Sequence, residues 1–147
     1  MDLFQGIRDS YLAEGLTDDQ VKTLVDIAEE ISYPADGEIC REDEEGDAVF
    51  LLLVGKARVQ TSMGDLIARL QPGAIVGEIA LFGQDRRSAA VASDGNSTLA
   101  RINADAFNAL IDQKPEIGVI VLRNLGRTLC KRLRSSNVQL EAVLQVL

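Results

Sequence analysis

Gly73-Ala74-Ile75-Val76-Gly77-Glu78-Ile79-Ala80-Leu81-Phe82-Gly83-Gln84-Asp85-Arg86-Arg87-Ser88-Ala89-Ala90-Val91 is the stretch that decides how this chain is read. Within it, Gly77-Glu78-Ile79-Ala80-Leu81 reads as a sharp turn running into a short helix. Glycine lets backbone approach a ligand closely, and a helix start offers free N–H groups to an anion. Arg87 follows ten residues after Gly77, at the head of an apparent strand through Ser88, Ala89, Ala90 and Val91. An arginine there can meet a phosphate with a two-pronged guanidinium. Arg86 beside it is the competing candidate for that role. Glu78 would repel a phosphate, so it makes sense as the acceptor of a sugar hydroxyl. The parts suit a ligand with one phosphate charge beside one ribose hydroxyl, a class that includes several phosphosugars and the 3′,5′-cyclic nucleotides.

Outward from this segment, residues 32–103 are short apolar runs punctuated by glycine. Strands are expected at 29–33, 38–41, 48–53, 56–61, 65–70, 88–92 and 98–102. Between them stand turn signals such as Asp36-Gly37, Gly55, Met63-Gly64-Asp65, Pro72-Gly73 and Asp94-Gly95-Asn96. Many short strands at this spacing predict a small barrel or jelly roll. The acids Asp36, Glu38, Glu42, Asp43, Glu44, Glu45 and Asp47 crowd one hairpin and read as a solvated rim; their spacing does not match a calcium loop.

Both ends are helical in pattern. Thr17 and Gln20 form a capping-box pair ahead of Val21, Leu24, Val25 and Ala28, which share a face. Asn103 is placed to cap a helix through about Gln113, and Pro115 to open another at its first turn. Leu129, Leu133, Ser136, Leu140, Val143 and Leu147 then recur at spacings of four and three, a heptad seam. That seam either packs on its own barrel or joins two chains. The expectation is one domain, 1–147, mainly β with flanking α: helical over 1–31, a barrel over 32–103, and helical over 104–147.

Composition narrows the function. The 147 residues hold no His, so His-ligated metal or haem, a Ser-His-Asp triad and a Cys-His dyad are excluded. A metal-dependent barrel enzyme leaning on His ligands falls with them, and no nucleophile–base pair replaces it. Cys40 and Cys130 lack any CxxC spacing and read as small hydrophobes in a reducing cytosol. A formal net charge of −8 opposes polyanion binding, so no direct nucleic acid is expected. Arg123, Arg127, Lys131, Arg132 and Arg134 read accordingly as a solvated or acid-pairing face. The start, MDLFQGIRDS, has no signal-peptide pattern, and no apolar run is long enough to span a membrane. A cytoplasmic domain without membrane contact is expected.

The segment GEIALFGQDRRSAAV resembles the phosphate-binding cassette of the cyclic nucleotide-binding domain family, whose form is G-E-(hydrophobic)-A-L, a variable loop, then R-(small)-A. Gly46-Asp47 with the apolar run to Val54, the Gly55 turn and the run to Val59 is similar to the family's G-D and paired strands. Leu70-Gln71-Pro72-Gly73 resembles its L-x-x-G lead-in, and Phe107, Leu110 and Pro115 its F-x-x-L and proline. Each motif alone is weak; five in order over most of the chain are specific.

The resemblance implies a jelly-roll barrel with flanking helices. It implies that Glu78 binds the ribose 2′-hydroxyl, that Arg87 binds the cyclic phosphate, and that Gly77, Ile79 and Ala80 offer backbone groups. Ser88 would add a hydroxyl to phosphate or base. Lys131-Arg132-Leu133-Arg134-Ser135-Ser136-Asn137 resembles the last helix of the bacterial catabolite activators, which implies base contact by Ser136, with Asn137 the second choice. The expected function is a non-enzymatic sensor for cAMP, with cGMP the alternative ligand and no cofactor. Closure of the cassette repositions the C-terminal helix and signals to a protein effector or attached domain, with a homodimer through that helix as one arrangement. The competing reading is a ligand-free docking or dimerisation module of the same fold. No helix-turn-helix pattern or other output segment lies within the chain.

Overall fold

The structure, a computed structural model, describes residues 2–41, 46–61, 63–82 and 89–146. Helix α1 (Leu3–Asp9), a 3-10 turn (Tyr11–Ala13) and helix α2 (Asp18–Asp26) lead into strand β1 (Ala28–Tyr33). The helical part therefore ends before position 31. The capping box forms as expected, with Thr17 accepting from the Gln20 amide and the Gln20 side chain accepting from the Thr17 amide.

Strands β2 (Glu38–Cys40), β3 (Ala48–Gln60), β4 (Leu66–Leu70), β5 (Ile75–Val76) and β6 (Ala90–Asn103) complete a six-stranded antiparallel sheet among the described residues. Its path runs β1-β6-β3-β4, with β2 also on β6 and β5 on β3. Here the structure corrects the strand count. The runs at 48–53 and 56–61 fall in one strand, as do 98–102 and the part of 88–92 from Ala90 onward, and β5 is an addition.

The merger has a local cause. Gly55 and Gly95 both take positive φ, which resembles a strand break in sequence. In space they fall where β3 and β6 slip register together, and the ladder resumes at Lys56↔Asp94. A Cβ on Gly55 would run into the Asn96 carbonyl oxygen, so only glycine lets the two bulged strands stay paired.

Strand β3 explains how the core is divided. It is buried from Ala48 to Leu53, so both of its faces are covered. Val49, Leu51 and Leu53 face a cluster with Ile75, Ala100 and Ile102 that the helices close. Ala48, Phe50 and Leu52 face the other way, with Ile39, Cys40, Val76, Val91 and Leu99. Cys40 is thus a core residue, whereas Cys130 is exposed on the last helix. Three acids of the rim stay exposed and also pair with arginines: Asp36 with Arg58, Glu38 with Arg41 and Asp47 with Arg101.

Helix α3 (Ala104–Gln113) is capped by Asn103, whose side chain accepts from the Ala106 amide, and α4 (Pro115–Val146) follows from Pro115. Ile117, Val121 and Leu125 anchor the first part of α4 in the helix-side cluster. Beyond Leu129 the described side chains through Gln145 are exposed, with Leu133 at 62% and Leu140 and Val143 also bare, although Arg132 reaches back to the sheet. The seam therefore does not pack on its own barrel. No helix among the described residues is long and apolar enough to cross a membrane.

Candidate functional site

Strand β5 and the turn after it set up the site. Ile75 is buried in the helix-side cluster and Val76 in the other, which fixes the chain as it leaves the sheet. Gly77 then takes φ of 81°, a backbone turn that an L side chain would strain. The short helix of the sequence reading is a 3-10 helix, Glu78–Leu81, and Leu81 packs against the helix-side cluster. Glu78 is carried to the inner side of this turn with only 15% of its side chain exposed.

A carboxylate so enclosed needs a partner, because burial of an unpaired charge is costly. Arg132 on α4 supplies it. One guanidinium nitrogen lies 3.0 Å from Glu78 Oε1, and the other donates to the Ile75 carbonyl oxygen at 3.0 Å. The long helix is thus tied at one residue to both the backbone and the carboxylate of the Gly77 turn. The Arg132 side chain remains 42% exposed, so the bond faces solvent on one side.

The N-terminal segment reaches the same place. Burial pushes the Tyr11 phenol above its ordinary value of 10, the charge of Arg132 and a hydrogen bond with Thr128 pull it back, and Glu78 adds to the rise. Asn124, one turn before Thr128, is 5% exposed and donates to the carbonyls of Leu12 and Glu14 at 2.8 and 2.9 Å. The 3-10 turn, the Gly77 turn and α4 therefore meet around Tyr11, Glu78 and Arg132.

The phenol has a measurable consequence. With its folded value raised above the unfolded one, stability from Tyr11 is intact below pH 10 and is lost as pH rises through the folded value. Tyr11→Phe is expected to lose stability less steeply than the parent between about pH 9.5 and about pH 11 in urea titrations. Equal slopes would show that the phenol is not buried as described.

Of the residues expected at the site, Gly77, Glu78, Ile79 and Ala80 lie together in the turn and the 3-10 helix. Arg87 and Ser88, like the competing Arg86, lie outside the described residues. Ser136 and Asn137 are exposed, on the part of α4 that has left the barrel, and their side chains make no hydrogen bond among the described residues. The sequence reading placed Arg132 in an acid-pairing stretch without joining it to Glu78. A signal was present: Arg132 and Ser136 are four apart and share a helix face.

Residues 30–114, more than half of the chain, match the cyclic nucleotide-binding domain family. This chain belongs to that family. It is 28% identical to the cyclic AMP receptor protein of Thermus thermophilus over 92% of its own length and 62% of the receptor's. It is 32% identical to human cGMP-dependent protein kinase 2 over 76% of its length, which is 15% of the kinase. The fold resembles a cyclic nucleotide-binding domain from Methylobacillus flagellatus, with a TM-score of 0.86, 26% identity and coverage of 92% of this chain and 81% of that one. The domain thus spans less than two thirds of either of these full-length relatives. The expected cyclic nucleotide-binding fold, mainly antiparallel β with a long C-terminal helix, is the one observed.

Proposed function

We propose that this domain is a cyclic-nucleotide sensor, with cAMP as its ligand, and that α4 carries its output. Glu78 takes the ribose 2′-hydroxyl, Arg87 the cyclic phosphate, and Gly77, Ile79, Ala80 and Ser88 complete the cassette. Ser136 and Asn137 cover the base, either from the same chain or from a second copy paired along the exposed seam. The domain binds and does not turn over its ligand, works in the cytoplasm and passes its signal to a protein effector or attached domain.

The observation that carries this reading is the bond between Arg132 and Glu78. Glu78 is the residue whose counterpart holds the sugar in the resemblance, and it is already in contact with the output helix. A ligand hydroxyl arriving at Glu78 shares that carboxylate with Arg132, so occupancy and helix position are linked. Such a ligand signals only if it binds the two helix positions with different affinity. The preference for cAMP rests on the likeness of Lys131–Asn137 to the catabolite activators and on the breadth of similarity to the Thermus receptor protein. The presence of both Glu78 and Arg87 in the cassette weighs against a ligand-free docking module, which has no need of the pair.

Calorimetric titration with cAMP and with cGMP tests it. Saturable binding with cAMP the tighter ligand is expected. Absence of heat with both at millimolar ligand would falsify the sensor reading, and tighter cGMP would reverse the choice of base. Sedimentation with and without ligand reads the pairing of two copies.

A further inference from the structure

Helix α4 has a second face that the ligand reading does not use. Arg123, Arg127, Lys131 and Arg134 follow one another at spacings of four, four and three. At about 100° of turn and about 1.5 Å of rise per residue, they form one stripe roughly 16 Å long. All four are exposed, and none has an ion pair or hydrogen bond among the described residues. No acid occurs in the helix between Glu116 and Glu141. Arg132 sits between Lys131 and Arg134 in sequence but points the other way, to Glu78.

This arrangement is costly for an isolated helix, since like charges three and four apart repel. It is also out of keeping with a chain of net charge −8. The seam through Leu129, Leu133, Leu140 and Val143 lies on a different face, so pairing of two copies along it leaves the stripe bare. The stripe also straddles the place where α4 leaves the core, with Arg123 and Arg127 beside buried Asn124 and Leu125 and Arg134 beyond the last contact.

We propose that this stripe docks an acidic helix or extended acidic segment of a partner protein, with carboxylates spaced to meet the four cations. Charge complementarity selects the occupant. A nucleic acid is repelled by the acid excess of the remaining surface, a long-range field that a short acidic segment in contact with four cations largely escapes. Because the stripe spans the exit point of the helix, a bound partner reads whether the projecting half holds its course. That coupling rests on the sensor reading above; the docking itself does not.

The test is fluorescence anisotropy with a labelled helical peptide bearing glutamates at alternating three- and four-residue spacing, and with a labelled DNA duplex of similar length. The peptide is expected to bind the parent chain and to weaken as salt rises from about 50 to about 300 mM. Reversal of the stripe (R123E, R127E, K131E, R134E) should weaken it at least about tenfold, while reversal of four exposed cations elsewhere (K22E, K56E, R69E, K114E) should change it less than about twofold. The milder pair R127Q and K131Q gives an intermediate loss if the fourfold reversal does not fold. Equal loss in the two fourfold reversals overturns the proposal, because only net charge is then being read. Tighter binding of the duplex overturns it in favour of nucleic acid, and stripe-dependent self-association in sedimentation overturns it in favour of a second copy. Titration of each variant with cAMP separates these results from failure of the sensor reading.

Discussion

Arg87→Ala is expected to weaken cyclic-nucleotide binding by about 2–5 kcal/mol, a rise in Kd of roughly 30-fold to several thousandfold. The size follows from the ligand. A cyclic phosphodiester keeps one negative charge at neutral pH, and a cassette that folds over it removes much of its water. The charge then depends on what the protein offers, and a guanidinium offers a full positive charge with two parallel donors. Removal of Arg87 leaves the phosphate with backbone N–H groups and Ser88, which supply dipoles but no charge. Calorimetry with cAMP on the parent, Arg87→Ala and Arg86→Ala gives the comparison. A large loss in the first and a small one in the second is the expected pattern, and the reverse moves the phosphate to Arg86. Arg87→Lys should recover only part of the affinity, because an ammonium keeps the charge and loses the fork.

The net charge of −8 gives no guide to this site. Seven of the 23 acids lie within residues 36–47, and three of these are matched by Arg58, Arg41 and Arg101. Glu78 is likewise matched by Arg132. Where charges are paired at contact distance, a global excess decides long-range steering and little else.

What was legible in sequence was local. Thr17 with Gln20, and Asn103 ahead of its helix, were readable because a cap is decided within four residues. The cassette was readable for the same reason, as a run of adjacent residues. Strand continuity was not. A positive-φ glycine looks the same whether it ends a strand or lets two strands bulge together, and only the pairing of Lys56 with Asp94 tells the cases apart. Strand β5 was missed because two residues carry no periodicity. The Arg132–Glu78 bond joins positions 54 apart, and the sequence hinted at it only through the helix face that Arg132 shares with Ser136. The seam was visible, but whether it lay on the barrel depended on the direction in which α4 leaves the core.

Asn124 helps to hold that direction together with Ile117, Val121 and Leu125, and the second large effect is expected there. Asn124→Leu should destabilise the fold by about 2–3 kcal/mol in urea titration, because it strands the buried Leu12 carbonyl and the part-buried Glu14 carbonyl. In the parent, a single side-chain amide donates to Leu12 and Glu14 and so holds α4 against the 3-10 turn that carries Tyr11. Leucine keeps a branched side chain of similar reach but offers no donor, and its bulk hinders a water from taking the place of the amide. By contrast, Lys22→Ala removes only an exposed pair at 4.0 Å with Asp19 and should cost little. The functional consequence follows from geometry: Asn124 and Arg132 are two turns apart on one helix, and the first fixes the axis along which the second reaches Glu78. Asn124→Leu should therefore also alter cAMP affinity at temperatures where the fold is intact, although among the described residues the hydrogen bonds of Asn124 go to Leu12 and Glu14 and not to the cassette. Unchanged stability would show that the two carbonyls find other donors, and unchanged affinity in a destabilised variant would separate the helix anchor from the site.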